Sequence, residues 1–368
     1  MDTYAVRTLR SQPLRLALTI GGVGLCIVLM FFLLAVYRGV AEGSVEYVRR
    51  NKADLWILQR NVTNILRGSS LVSLSCRQTI LGVPGVESAS PVLLLLTTIK
   101  KEGRSRTVFL TGFEPSTGMG GPPRIAEGRT VGADNEIVLD RAFARKFKFR
   151  VGESVDLLGY SLKVVGISTG TNAFVIQYAF VTLASAQKVI GFPSIVSGFM
   201  ISVKDKTRLG SIAGKIQEAF PGLAVYDQAT FLENNIQEMK SGFLPLLYTV
   251  AAIGAVVLTA ILSLLLSVNI LERRKDFAIL KTLGSPKRFL RRIVILQALL
   301  ISSAASLVGI VFFFPLVSLI ERLSPEISTK SSLGQILAVV VGVACLSLIS
   351  SSISIQKLRK IYLLEVFR

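Results

Sequence analysis

Residues 269–292 read NILERRKDFAILKTLGSPKRFLRR and lie between two long uncharged runs. On a helical wheel, the apolar side chains of the first half occupy one broad arc, and Arg274, Lys275, Lys281 and Thr282 occupy the other. The apolar arc contains Phe277, Ile279, Leu280 and Leu283. Gly284 suits a helix C-cap, Ser285 the next N-cap and Pro286 the first residue of a second helix. We therefore predict a basic amphipathic helix followed by a sharp bend.

Four runs of sequence contain no Asp, Glu, Lys or Arg, namely residues 16–37, 243–271, 293–320 and 333–355. Each is long enough to cross about 30 Å of hydrocarbon at about 1.5 Å per residue of helix. The composition agrees, with 51% hydrophobic residues and a mean hydropathy of +0.58. The first run is longer than the apolar core of about 7–15 residues in a secretory signal, so we interpret it as a retained anchor. These runs predict a membrane protein with four transmembrane helices.

Lysine and arginine in short flanking segments indicate how the chain is oriented, because such residues are retained on the cytoplasmic side. Residues 1–15 form a basic, amphipathic N-terminal segment, and residues 272–292, called here the coupling segment, contain eight Lys and Arg. Residues 356–368 are a basic tail, whereas in residues 321–332 two basic and two acidic residues balance. We predict that both termini and the coupling segment are cytoplasmic and that residues 38–242 are extracytoplasmic.

The extracytoplasmic segment contains a pattern that occurs twice. Strands are predicted at 53–58, 89–99, 198–203 and 223–226, with helices at 71–81 and 209–220. Each helix is followed by a Pro-Gly turn. Two such units commonly form one mixed sheet with helices on one face. Residues 112–188 are predicted to be an inserted, mainly β subdomain, so the fold class is a four-helix membrane protein with a large extracytoplasmic α+β domain. Residues 230–240 predict a helical stalk leading into the second span.

Small side chains recur every four residues in the second span. This small-residue ridge consists of Ala251, Ala255, Thr259, Ser263 and Ser267. Small residues allow helices in lipid to approach closely, so the ridge is a candidate interface. The partner helix can belong to this chain or to a second protomer, and the sequence leaves both alternatives open.

The composition excludes several function classes. The net charge of +19 does not indicate nucleic-acid binding, because much of it lies in the predicted cytoplasmic segments, which contain 15 Lys and Arg. The outer segment contains 25 Lys and Arg, and 17 Asp and Glu offset most of their charge. The chain has no histidine, no phosphate-binding loop and no charged side chain inside a predicted span. An ion-coupled carrier and a nucleotide-hydrolysing enzyme are therefore disfavoured. Asp134 and Glu136 are interpreted as surface carboxylates. We predict no catalytic residue, cofactor or metal in this chain.

Several segments together resemble the permease subunits of the FtsX/MacB type of ABC transporter, which include the LolC/LolE pair and DevC-like exporters. Residues 5–21 resemble the family's entry into its first span, and residues 272–288 resemble its cytoplasmic segment. Residues 128–139 and 151–167 resemble its outer β subdomain. The order of one span, a large outer domain and three more spans matches over the whole chain.

This resemblance implies a separate ATPase, which binds ATP and magnesium, and two permease chains per complex, identical or paralogous. It implies a bacterial cytoplasmic membrane and mechanotransmission, in which ATP hydrolysis drives export or extraction of a lipid, lipoprotein or hydrophobic small molecule. The residues expected to contact the ATPase are Asp276, Phe277, Ile279, Leu280, Leu283, Gly284, Ser285 and Pro286. A periplasmic adaptor and an outer-membrane channel are further candidate partners. The alternative function is an FtsX-like regulator that activates a cell-wall hydrolase through its outer domain.

Overall fold

A computed structural model describes residues 13–51, 53–66, 68–101, 103–173, 176–242, 244–272, 279, 286–324 and 329–359. These residues form two compact units. The membrane unit contains the described residues up to Arg38, those from Pro245 to Leu319 and those from Thr329 onward. The outer unit contains Gly39–Leu244 together with the described residues from Ile320.

Ten α-helices have described boundaries. They are α1 Pro13–Ser44, α2 Glu46–Arg50, α3 Cys76–Leu81, α4 Arg141–Phe147, α5 Leu183–Ile190, α6 Leu209–Ala219, α7 Gln228–Gly242, α8 Leu244–Glu272, α9 Lys287–Leu323 and α10 Leu333–Arg359. Four of them contain segments long and apolar enough to cross a membrane, at Leu16–Ala41, Pro245–Glu272, Arg291–Leu323 and Leu333–Ile355. The predicted number of spans is therefore confirmed.

The membrane unit has its own apolar core. Val23, Ile27 and Phe31 of α1 pack with residues of α8, α9 and α10, and Leu262 of α8 and Val343 of α10 are fully buried there. Glycine allows α1 and α9 to approach closely. A Cβ atom at Gly309 would lie 2.9 Å from Ile27 Cγ2, which is closer than packed carbon atoms approach. Any larger residue at position 309 would push these two helices apart.

The outer unit contains thirteen strands with described boundaries. They are β1 Leu55–Gln59, β2 Val72–Ser73, β3 Val86–Lys101, β4 Arg104–Phe113, β5 Ile125–Gly128, β6 Glu136–Asp140, β7 Ser154–Leu157, β8 Tyr160–Ser168, β9 Asn172–Ala173, β10 Ile176–Thr182, β11 Ile195–Val196, β12 Gly198–Val203 and β13 Leu223–Asp227. Eleven of these strands form one mixed sheet in the order β13-β1-β12-β3-β4-β10-β6-β8-β5, with β7 and β9 at its side. Strands β2 and β11 pair separately.

The predicted repeat forms the first four strands of this order. Strand β12 of the second unit pairs antiparallel with both β1 and β3 of the first. Strand β1 in turn pairs antiparallel with β13 of the second unit. In each strand–helix–strand unit, a strand of the other unit therefore lies between the two strands. This is a split βαβ arrangement. The predicted inserted subdomain extends the same sheet from β4 onward instead of forming a second one.

Side chains of β1 alternate between two cores, as the two-residue period of a strand requires. Leu55 and Ile57 join the core that contains Ile80 of α3 and Ile212 of α6. Trp56 and Leu58 point to the other face and join a second core with residues of α2 and α7. The helices of the repeat cover one face, as predicted, and helices that adjoin the spans in sequence cover the other.

The predicted helix at 71–81 is wrong in its first half. The helix begins only at Cys76, and Val72 and Ser73 form strand β2. These two residues pair with Val196 and Ile195 of β11. A strand partner more than a hundred residues away stabilises an extended conformation that local sequence does not indicate.

The interpretation of Glu136 as a surface carboxylate is also wrong, since Glu136 is only 8% exposed. Arg129 Nη1 donates to Glu136 Oε2 at 2.7 Å, and Arg129 Nη2 donates to Oε1. The backbone N–H groups of Gly132 and Ala133 also donate to Oε2, at 2.8 and 3.2 Å. The bonds from Arg129, followed by the bond from Gly132, lower the pKa of Glu136 to about 2. This carboxylate closes the loop between β5 and β6.

Because the pKa of Glu136 is lower in the folded state than its unfolded value of about 4.3, its stabilisation is present above that value and is lost as pH falls toward 2. We predict that Glu136→Gln lowers the melting temperature at pH 7 and that the difference from wild type shrinks as the pH is lowered to 3. Thermal unfolding of the full chain at a series of pH values measures this. Exposed Glu127→Gln in β5 is the matched control, and an equal, pH-independent effect of both variants would contradict the assignment.

Candidate functional site

The coupling segment is described only in part. Of the eight residues predicted to contact an ATPase, Ile279 and Pro286 are described, and the other six lie outside the described residues. The side chain of Ile279 is 50% exposed. Pro286 immediately precedes α9 instead of forming its first residue, and its carbonyl oxygen accepts the N–H of Phe289 at 2.8 Å. Pro286 therefore supplies the acceptor for the first turn of this helix.

The structure places part of the small-residue ridge against α10. Ser350 Oγ donates to the carbonyl oxygen of Thr259 at 3.2 Å, and Ser354 Oγ donates to that of Ser263 at 3.0 Å. The hydroxyl oxygens of Ser267 and Ser354 are 3.4 Å apart. Contacts within the chain thus account for the part of the ridge from Thr259 to Ser267.

The other flank of the ridge is open. Ala255, Thr259 and Ser263 line a groove of about 510 Å³ between α8 and α10. The rest of its lining is mainly apolar, including Val256, Leu264, Leu346 and Ile353. The same small residues therefore contact α10 on one side and leave a shallow surface of the membrane unit uncovered on the other.

Gln228 fixes the beginning of α7 to the second core of the outer unit. Its Oε1 accepts the indole N–H of Trp56 at 2.6 Å, and its Nε2 donates to the carbonyl oxygen of Val48 in α2 at 2.7 Å. Before it, Asp227 accepts the backbone N–H and the hydroxyl of Thr230, at 2.9 and 2.7 Å. These bonds cap the helix and lower the pKa of Asp227.

Two further residues on the same side of α7 are fully buried, Phe231 and Asn235. The ring of Phe231 stacks on Trp56, with the centroids 4.7 Å apart. Asn235 Nδ2 donates to the carbonyl oxygen of Phe231 at 2.7 Å, and its Oδ1 accepts the N–H of Ile65 at 3.1 Å. We call Trp56, Gln228, Phe231 and Asn235 the α7 anchor. These residues hold α7, the helix that precedes the second span, against strand β1.

Helix α2, which follows α1, is fixed to the same face. The hydroxyl of Tyr47 donates to the carbonyl oxygen of Gly120 at 2.9 Å, and Asn51 Oδ1 accepts the N–H of Gly120 at 2.8 Å. The ring of Tyr47 stacks on Tyr178, with the centroids 5.0 Å apart. Burial raises the pKa of Tyr47 well above its usual range, so this phenol stays neutral and donates its proton.

Two family models match the chain. A MacB-like periplasmic core domain matches residues 16–219. An FtsX-like permease C-terminal domain matches residues 248–363. The chain belongs to the FtsX/MacB family of ABC transporter permeases. Such a permease works with an ATPase subunit, and this family assignment confirms the resemblance found in the sequence.

Relatives in sequence agree with this assignment. An uncharacterised ABC transporter permease of Mycobacterium tuberculosis is 27% identical over 96% of this permease and 95% of its own length. Another, from Mycobacterium bovis, is 23% identical over 83% of each chain. The match to the periplasmic region of MacB from Actinobacillus actinomycetemcomitans, which is 13% identical, covers 50% of this permease and 94% of the MacB chain. Its TM-score is 0.40. The match to the extracellular domain of YknZ from Gram-positive bacteria, also 13% identical, covers 48% of this permease and 99% of that chain, with a TM-score of 0.37.

Sequence reasoning about the permease found the helix of residues 230–240 but none of the anchor residues. One signal was available, because Trp56 is the only tryptophan in the chain and lies on a predicted strand. Its partners in the α7 anchor, Gln228 and Phe231, are more than 170 residues away in sequence, and no local pattern indicates them. Among the described residues of the permease, no three His, Cys, Asp or Glu side chains are grouped to hold a metal ion.

We predict that Phe231→Ala lowers the free energy of unfolding of the outer domain by about 3–5 kcal/mol, the usual cost of truncating a fully buried phenylalanine. Urea unfolding of the full-length protein, followed by the fluorescence of Trp56, measures the effect, because this indole stacks on Phe231. Gln237→Ala, at an exposed position of α7, is the control and should change stability by less than about 0.5 kcal/mol. If the two variants behave alike, Phe231 does not hold α7.

Proposed function

We propose that this permease couples ATP hydrolysis by a separate ATPase subunit to export or extraction of a lipid, a lipoprotein or a hydrophobic small molecule. The observation that carries the proposal is the α7 anchor, which fixes one side of the helix preceding the second span to the core of the outer unit. Only Phe243 separates α7 from α8 in sequence. A displacement of α8 in the membrane is therefore transmitted by the chain to α7 and, through the anchor, to the sheet.

In this mechanism the energy comes from outside the chain. The four apolar runs contain no carboxylate or basic side chain that could relay protons or ions through the membrane. ATP and magnesium are bound by the ATPase dimer, which docks under the coupling segment of each of two permease copies. Both termini and this segment are cytoplasmic, and the protein resides in the bacterial cytoplasmic membrane. A periplasmic adaptor and an outer-membrane channel are candidate further partners.

The docking surface is the apolar arc of the coupling segment. Phe277, Leu280 and Leu283 enter an apolar cleft of the ATPase together with Ile279, and half of the Ile279 side chain is exposed in the isolated chain. Asp276 directly precedes Phe277 in the sequence. The bend at Gly284, Ser285 and Pro286 transmits the movement into α9. An apolar side chain that is exposed in one subunit and covered by another supplies binding free energy without a charge.

Leu280→Asp should abolish co-purification of the ATPase, because it places a charge in an apolar interface. Thr282→Asp introduces the same carboxylate on the opposite arc and is the matched control. Pull-down of the ATPase and the ATPase activity of the reconstituted complex are the two measurements. Normal complex formation by Leu280→Asp would show that this arc is not the docking surface.

Transmission through α7 is tested by inserting three glycines between Gly242 and Phe243. The insertion should leave ATPase binding intact but abolish ATP-dependent changes in hydrogen exchange of the outer domain, because a flexible linker transmits little force. Three glycines inserted after Gly103, in the exposed turn between β3 and β4, serve as the control. ATP-dependent exchange that survives the first insertion would contradict the mechanism. Stimulation of ATPase activity by lipids distinguishes transport from the regulatory alternative.

A further inference from the structure

Two distant segments of the outer domain are rich in basic residues. Residues 100–106 and 145–150 together contain eight Lys and Arg, with Glu102 as the only acidic residue. The first segment is the tip of the β3–β4 hairpin, and the second is the end of α4 and the loop that follows it. We call the eight residues the basic patch. They are Lys100, Lys101, Arg104, Arg106, Arg145, Lys146, Lys148 and Arg150.

Direct contacts join the two segments into one surface. Lys101 Nζ donates to the carbonyl oxygen of Lys148 at 2.7 Å and lies 4.3 Å from the ring centroid of Phe149. The guanidinium carbon of Arg106 lies 4.8 Å from the ring centroid of Phe147. The hairpin tip is therefore packed on the end of α4. The two aromatic rings lie beneath cations and are not presented to solvent as a continuous apolar surface.

Four cations of this patch have no ion-pair partner among the described residues. Lys101 pairs with Glu153 at 3.0 Å. In contrast, Lys100, Arg104, Arg145 and Lys148 are exposed and form no ion pair with any carboxylate in the described part of the chain. Arg104 is in register with Lys101, which contacts Lys148, whereas Lys100 is in register with Asp156 of β7. Neighbouring cations repel one another, which an anionic partner would relieve.

The patch lies far along the sheet from the beginning of β1 and the end of β13. Leu55, the first residue of β1, is in register with Asp227 on one side and Ile201 on the other. Ile201 is in register with Ala89 of β3. Lys101 follows Ala89 by twelve residues on the same strand, which is about 40 Å at about 3.3 Å per residue. The patch therefore lies at the other end of β3 from the residues in register with β12 and β1.

We propose that the basic patch is a binding site for a phosphate-bearing polymer of the cell envelope. Arginine and lysine are the usual ligands of phosphate, and arginine can bind two phosphate oxygens at once. An acidic protein is less suitable, because a protein interface usually has an apolar centre. The two segments of the patch contain no Leu, Ile, Val or Met, and Val151, which follows them in sequence, is 43% exposed. The site would hold the outer domain to the envelope independently of ATP.

The test uses the full-length permease in nanodiscs of phosphatidylcholine and fluorescently labelled inorganic polyphosphate, with fluorescence anisotropy as the measurement. The patch variant combines Lys100→Gln, Arg104→Gln, Arg145→Gln and Lys148→Gln. The control variant combines Arg60→Gln, Lys204→Gln, Arg208→Gln and Lys215→Gln, which removes the same charge from exposed positions elsewhere in the domain. Melting temperatures near that of wild type show that both variants are folded.

We expect the patch variant to bind polyphosphate about tenfold or more weakly than wild type, and the control variant to bind within about twofold. Affinity of the wild type should also fall steeply with salt, because bound phosphates release counterions. Equal losses in the two variants, or no loss in the patch variant, would overturn the proposal. Polyglutamate binding as tightly as polyphosphate would instead indicate an acidic protein. Capture by phosphatidylglycerol vesicles without polyphosphate binding would indicate a membrane, and either result rejects the polymer.

Discussion

The two-residue alternation of strand β1 is the constraint on which the outer domain depends. Leu55 and Ile57 bury one face of the sheet under the helices of the repeat, and Trp56 and Leu58 bury the other. A one-residue slip in register would exchange these sets and leave Trp56 without Gln228 and Phe231. Because α2 and α7 adjoin the first and second spans in sequence, the same strand specifies the fold of the domain and the attachment of both segments.

The membrane unit satisfies a different requirement, since lipid offers no hydrogen-bond partner to a polar group. Several of its hydroxyls are bonded within their own helix or to a neighbouring helix. Thr259 Oγ1 donates to the carbonyl oxygen of Ala255 at 2.8 Å, and Ser267 Oγ donates to that of Ser263 at 2.6 Å. Close approach at Gly309 adds dispersion contacts, which drive helix association where the hydrophobic effect contributes little. Small residues and hydroxyls thus contribute to the packing between neighbouring helices of this unit.

The sequence was sufficient for features that have a local cause. The apolar runs predicted four spans because length and hydropathy suffice, and the repeat predicted the strands at 198–203 and 223–226 because patterning and Pro-Gly turns are local. Features with distant causes were missed. Strand β2 exists because Val72 and Ser73 meet β11, and Glu136 is buried because Arg129 and a loop surround it. The α7 anchor joins Trp56 to a glutamine that belongs to another part of the chain. Most of the coupling segment lies outside the described residues, and its docking role remains a prediction.

The two serine hydroxyls of α10 that donate to α8 are four residues apart, and so are the two carbonyl groups that accept from them. This equal spacing bears on how α10 can slide along α8. Ser350 and Ser354 are four residues apart, as are the residues that accept from them, Thr259 and Ser263. The next residue in that series is Ser267. Sliding α10 along α8 by one turn, about 5.4 Å, brings Ser350 to the carbonyl of Ser263 and Ser354 to that of Ser267. A slide of one turn would therefore restore the same two serine-to-carbonyl bonds, and it would break the present contact between the Ser267 and Ser354 hydroxyls.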